Sequence, residues 1–151
     1  MRPFSTTLAL LLTILLHAQA FNWQWSVSAT STETSGPNIY DMTTDADGNS
    51  YLAGSFYAMA TFSNLPPIIA GLQGDLFVAK YDAAGTALWV AHTGGDSFDE
   101  ATAVSVDGAG NVYITGYFQS TNIDFGAGPL VRSGLTDIFV AKYNADGEFQ
   151  W

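Results

Sequence analysis

The heptapeptide Asp75-Leu76-Phe77-Val78-Ala79-Lys80-Tyr81 returns as Asp137-Ile138-Phe139-Val140-Ala141-Lys142-Tyr143, identical at six of seven positions and displaced by 62 residues. The register extends outward from it. Gly48-Asn49 recurs as Gly110-Asn111 and Trp89 as Trp151, all at the same offset. Ala60-Thr61-Phe62 matches Ile123-Asp124-Phe125 with a one-residue slip that is recovered before the next strand, and Trp25, 64 residues ahead of Trp89, marks the tail of a preceding unit. Self-similarity at such a period is the signature of stacked supersecondary units.

Within each unit the apolar period is two. Val112–Phe118, Asp137–Tyr143 and Ala87–Thr93 are short and rich in β-branched and aromatic residues, as strands are. Residues 101–106 alternate small and branched side chains, as a strand packed close to its neighbours would. Four junctions share the form Asx-x-x-Gly: 45–48, 82–85, 107–110 and 144–147. An Asx side chain caps a type I turn, and Gly then takes the positive-φ position that joins the return strand. Two hairpins per unit give four antiparallel strands in 62 residues, joined by Gly- and Pro-containing loops at 64–67 and 126–129. The predicted fold is therefore all-β: β-propeller blades, each a four-stranded antiparallel sheet, about two of them, in an incomplete ring.

The pattern Asp-x-x-Gly-Asn-x-Tyr-x-x-Gly, then Asp-hydrophobic-Phe-Val-Ala-Lys-Tyr, then Gly-x-x-x-Trp resembles the bacterial SBBP-type (seven-bladed) β-propeller repeat family. The match covers residues 38–151 and the strand around Trp25; the first copy departs slightly, with Ser50 for Val112 and Ala53 for Thr115. The resemblance implies a propeller of the kind found in large exported bacterial proteins, and implies little about activity. The expected organisation is residues 1–20 as a signal peptide, 21–37 as the tail of a blade or a closing strand, 38–93 as a first blade, and 94–151 as a second blade lacking most of its last strand. Propellers close with 4 to 8 blades, and even four units of 62 residues need about 248. The 151-residue chain also stops at Trp151, where a fourth strand should begin. It is expected to be the N-terminal part of a longer protein, with short chains assembling a ring as the alternative.

The address is read from the first twenty residues. Arg2 precedes the nine-residue apolar run 8–16, too short for a membrane span, and Ala18-Gln19-Ala20 offers a small-x-small cleavage site. The mature chain is expected to begin at Phe21 and to be secreted or held at the cell surface, with no membrane span after signal removal. Its cations would be Lys80, Arg132 and Lys142 against 14 acids. That balance argues against nucleic acid, whose binding draws on a basic footprint. At 48% hydrophobic and 12% charged, the chain is too apolar to be disordered and too poor in charge for coiled coils. The absence of Cys from the sequence removes disulfides, thiolate metal sites and a cysteine nucleophile.

Three groups of residues invite a chemical reading. Asp45-x-Asp47-x-Asn49 starts like a calcium loop, but the sixth and twelfth positions, which need Gly and Glu, hold Ser50 and Phe56, and the second copy has Ala109 for Asp47. A hairpin turn is the expectation. Asp96, Asp99 and Glu100 form the densest acidic cluster, expected on a solvated loop between Thr93 and Ala101; paired carboxylates of this kind can divide acid and base roles in glycosidases. His92 aligns with Ser28 and has no repeated partner. The recurrence of Lys80 and Lys142 points to structure, with the stem along the sheet and the ammonium on a nearby Asp. Trp25, Trp89, Trp151 and the Phe-x-Ala-x-Tyr faces are expected to pack blade against blade.

The sequence thus assigns no catalytic residue, no metal ligand and no cofactor, and names no ligand-binding residue. The function expected is an exported, non-catalytic propeller repeat module for extracellular binding, adhesion or scaffolding. Its partners would be an extracellular protein or polysaccharide and further blades, in the same chain or in other copies. The alternatives are an oligomeric lectin-like propeller built from short chains, or part of a secreted carbohydrate-active enzyme that uses Asp96, Asp99 and Glu100.

Overall fold

Tandem Asx-x-x-Gly turns fold each unit back on itself, and the computed structural model, which describes residues 26, 28–31, 36–71 and 73–151, places every described element in strands or turns. The predicted signal segment and Trp25 lie outside the described residues. The first sheet contains β2 (Asn38–Thr44), β3 (Ser50–Phe56), β6 (Asp75–Tyr81) and β7 (Ala87–Thr93) in the order β2-β3-β6-β7, all antiparallel. The second contains β8 (Asp99–Val106), β9 (Val112–Phe118) and β12 (Asp137–Tyr143) in the order β8-β9-β12. Its fourth strand begins earlier than Trp151: Phe149 bridges Tyr143, and Lys142 exchanges backbone hydrogen bonds with Gln150 and Trp151.

The middle connection of each unit folds into a flap. In the first unit, β4 (Met59–Phe62) pairs with β5 (Ile68–Ile69) and with the short β1 (Ala29–Ser31). In the second, β10 (Asn122–Ile123) pairs with β11 (Leu130–Val131). The one-residue slip between the copies leaves the flaps equivalent, since Phe62 lies 4.9 Å from Phe77 and Phe125 lies 5.1 Å from Phe139.

All four turn glycines adopt the predicted conformation, with φ of 80° to 83° at Gly48, Gly85, Gly110 and Gly147. The leading Asx closes each turn. Asp107 Oδ1 accepts the backbone N–H groups of Ala109 and Asn111 (both 2.9 Å), and Oδ2 accepts from Asn111 Nδ2 (2.8 Å) and the Tyr113 hydroxyl (3.1 Å). Asp45 repeats this with Asp47, Asn49 and Tyr51. The motif Asp-x-x-Gly-Asn-x-Tyr is therefore one hydrogen-bonded box in which the carboxylate receives four donors.

The two sheets stack face to face. Tyr51, Ala53, Leu76 and Val78 of the first meet Val104, Ile114, Phe139, Ala141 and Tyr143 of the second in one buried cluster. A second cluster under the first flap joins Phe56, Phe62, Phe77, Ala79 and Tyr81. β6 is thus covered on both faces, as expected of a strand inside stacked sheets. β12 carries nearly the same sequence but alternates, burying Phe139, Ala141 and Tyr143 while Ile138 and Val140 face outward.

Candidate functional site

Stacking brings together residues that the sequence holds 62 apart. The β2–β3 turn of the first unit and the β8–β9 turn of the second stand side by side, and between them opens a cleft of about 420 Å³. Asp45, Asp47, Tyr51 and Lys80 line one wall, Asp107 to Gly110 the other, with Ala145 at the base. The Lys80 ammonium sits 5.2 Å from the centre of the Tyr51 ring and donates to the Ala145 carbonyl at 3.4 Å. This differs from the expected Asp partner. The nearby carboxylate of Asp45 is already taken by its own turn, so the lysine finds a π face and a carbonyl of the next unit instead.

Trp89 completes the junction. Its Nε1 donates to the same Ala145 carbonyl at 3.1 Å, and its ring meets Tyr51 edge-on at 6.3 Å. Gly147 lies flat against the indole, where any Cβ would strike the ring. Three further bonds cross between units: the Val104 N–H donates to Asp41 Oδ2 (2.8 Å), the Thr93 hydroxyl donates to the Asp124 carbonyl (2.6 Å), and the Asp99 N–H donates to the Gly74 carbonyl (3.2 Å). Trp89 packs blade against blade, as its periodicity predicts.

The acidic cluster is arranged differently from the expected solvated loop. β8 already starts at Asp99, and both Asp99 and Glu100 are buried, at 0% and 8% exposure. Asp99 Oδ1 accepts the N–H groups of Gln119 and Ser120 (both 3.1 Å) and Oδ2 accepts the Ser120 hydroxyl at 2.6 Å. Desolvation pushes the Asp99 carboxyl up from its usual range despite these donors, and the charge of Asp75 adds to the rise. Burial and the neighbouring Glu100 charge raise the Tyr40 and Tyr117 hydroxyls. Asp96 remains exposed and accepts from Thr121 N (2.6 Å) and Oγ1 (2.7 Å). Asp96 and Asp99 each tie the segment before or at the start of β8 to the loop after β9.

His92 has an acid neighbour that the sequence does not reveal: its Nδ1 lies 3.7 Å from Asp75 Oδ2, and its ring stands edge-on to Phe56 at 5.6 Å. Asp75 Oδ1 also accepts the Gly71 N–H at 2.9 Å. Among the described residues, no three His, Asp or Glu side chains form a group able to hold a metal ion.

The turn carboxylates make the fold sensitive to acid. The Asn111 amide, with the backbone donors and Tyr113, holds Asp107 down at about 2 from 3.8. Asp82 and Asp137 are lowered by backbone donors from Thr86 and Ser133, and Asp96 by the Thr121 hydroxyl and N–H. At Asp45, desolvation raises the carboxyl but the Asn49 and Tyr51 donors outweigh it. A folded pKa below the unfolded value contributes stability that is complete above about pH 4 and is lost as pH falls through the folded pKa. The denaturation midpoint is expected to hold from pH 7 to 5 and to fall steeply between about pH 4 and 2. Asp107→Ala should shallow that slope, and an equal slope in the variant would contradict the assignment.

No protein-family model matches the chain. It is 27% identical, over 140 aligned positions, to an uncharacterized WD repeat-containing protein of Acanthamoeba polyphaga mimivirus. The alignment covers 73% of this chain and 10% of the relative, so the chain spans about a tenth of that protein's length. The likeness to a WD repeat protein agrees with the stacked antiparallel sheets: this is an all-β, propeller-type repeat.

Proposed function

We propose that this is an exported, non-catalytic propeller module of the SBBP type, serving extracellular binding, adhesion or scaffolding as the N-terminal part of a longer protein. The observation that carries the reading is the junction itself. Tyr51, Lys80 and Trp89 join the first unit to the second through Ala145, and the same three types recur as Tyr113, Lys142 and Trp151. Residues kept in both copies build the scaffold, while the loops and Asp47, which becomes Ala109, are free to vary and carry recognition.

The cleft between the turns favours a second reading, a lectin-like propeller, because a ring of such units would repeat it at every junction. Its polar walls and size suit a small polyhydroxylated ligand.

Export is tested by producing the whole chain with its own leader in a bacterial host and sequencing the N-terminus of the material outside the cytoplasm. A start at Phe21 supports the proposal, and retention with Met1 in place contradicts it. Binding is tested on immobilised polysaccharides and on extracellular proteins. Glycan binding lost in both Asp47→Ala and Lys80→Ala favours the lectin arrangement, and binding that survives them assigns recognition to the loops. Failure with both ligand classes sinks the binding role.

A further inference from the structure

Residues that break the repeat gather where β8 begins. Glu100 stands opposite Tyr117 in the β8–β9 register, and Phe98, two residues earlier, meets the Tyr117 ring at 6.2 Å. Tyr57 of the first unit stacks on Phe98 at 5.8 Å and 14°. Its ring lies against Gly74, where a Cβ would come within 2.9 Å of it. Tyr40, at the β2 bulge, joins the group: after burial, the larger cause, Glu100 and Tyr57 act electrostatically on its hydroxyl, as they do on that of Tyr117. None of these five residues recurs. Gly36, Asn38, Thr102, Ser55 and Gln119 hold the places of Phe98, Glu100, Tyr40, Tyr117 and Tyr57 in the other copy. Asn38 is exposed, so burial of a polar side chain at this position is particular to the second unit.

Glu100 is 8% exposed, and among the described residues no Lys, Arg or His forms an ion pair with it. A carboxylate buried to this degree is ordinarily paired with a cation. The rings around it keep part of their surface open, with Tyr40 46% exposed and Tyr57, Phe98 and Tyr117 half-buried. We propose that this cluster binds a quaternary ammonium group, its methyl groups against the aromatic rings and its charge toward Glu100. The inference rests on the binding-module reading above and names a ligand chemistry for it. Aromatic faces attract such a cation through their quadrupoles. A primary ammonium is strongly hydrated and needs several acceptors. The neighbouring acids do not supply them, since Asp99 is engaged by Gln119 and Ser120, and Asp75 by Gly71 and His92. A neutral sugar could stack on the rings but would leave the Glu100 charge uncompensated. The excess of 14 acids over 4 bases draws cations to the whole chain.

The test is a calorimetric titration of the protein with choline chloride at constant ionic strength, beside choline's neutral isostere, which carries a tert-butyl group in place of the trimethylammonium. Choline is expected to bind ~10-fold more tightly than the isostere. Glu100→Gln and Tyr57→Leu should each weaken choline about tenfold, while Tyr57→Phe, which keeps the π face, should stay within about twofold of the parent. Affinity for the isostere should not change in Glu100→Gln. Circular dichroism checks that each variant keeps its sheet; should Glu100→Gln lose it, Tyr40→Leu, at the most exposed of the rings, takes its place with the same expected loss. Equal affinities for choline and the isostere overturn the site, and so does choline binding that survives both Glu100→Gln and Tyr57→Leu. Binding abolished by Asp47→Asn and not by Glu100→Gln puts the cation in the cleft between the turns and also overturns it. Failure with choline alongside binding in the polysaccharide and protein panel overturns this site alone, and failure in both takes the module reading with it.

Discussion

Gly116→Ala is expected to cost about 3 kcal/mol, at the upper end of what overpacking costs, and to lower the melting midpoint by roughly 10 °C. Gly116 sits in the middle of β9 opposite Ala101, just where β8 bulges between Ala101 and Ala103. The bulge swings the Glu100 carbonyl in over the glycine, so a Cβ there would be driven into that carbonyl and against Ala101 Cα. Both obstacles are backbone, and the strand is held on its other side by β12, so neither can step aside cheaply. Gly54 repeats the arrangement in the first unit, where β2 bulges between Ile39 and Asp41 and the Asn38 carbonyl takes the place of Glu100. The same loss is expected from Gly54→Ala. Gly108→Ala is the control, since nothing lies within 4 Å of its Cβ position, and it should stay within about 0.5 kcal/mol of the parent. Thermal unfolding of the three variants decides the matter, and a Gly116→Ala protein as stable as the Gly108 control would show that the bulge is not rigid.

These glycines mark where the sequence stops being readable. Their recurrence is plain, and strand period, turn positions and the stacking role of Trp89 all follow from local pattern. The bulge that requires them is on the neighbouring strand, at Tyr40 and Thr102, two residues with nothing in common. The partner of Lys80 is hidden for a related reason: Ala145 O belongs to the next unit, 65 residues on, and a backbone carbonyl leaves no trace in side-chain pattern. The cleft between the turns exists only because two loops 62 residues apart become neighbours on stacking. Asp99 was concealed by its setting. Gly94 to Ser97 read as loop, and its counterpart in the first unit is Pro37, so repetition gave no hint of a buried carboxylate. Its partner Ser120, 21 residues away, looks like any loop serine.

Asp99 supplies the second large effect, and the choice of replacement separates its two properties. Asp99→Ala removes the acceptor of two backbone N–H groups, those of Gln119 and Ser120, and leaves a gap at a fully buried position. Stranded buried donors cost about 1–3 kcal/mol each, so a loss of roughly 3 kcal/mol is expected once the loop has relaxed. Asp99→Asn should behave otherwise. The amide oxygen can accept the same two N–H groups, and the amide nitrogen can donate to Ser120 Oγ. That hydroxyl then turns its own hydrogen to the Ser97 carbonyl, already at 3.2 Å. The substitution also removes a charge whose burial, with Asp75 nearby, raises the carboxyl pKa. A group whose folded pKa is raised contributes most below its unfolded pKa, and its contribution falls as pH rises through the folded value. Asp99→Asn is therefore expected within about 1 kcal/mol of the parent at pH 7, and to compare less well with it as pH falls and the parent's carboxyl becomes protonated. Denaturant unfolding of both variants at pH 7 and pH 4 measures this directly. If Asn and Ala were equally damaging at pH 7, the carboxylate would matter as a charge rather than as an acceptor, and Asp99 would return to consideration as a chemical group instead of the clamp between β8 and the loop after β9.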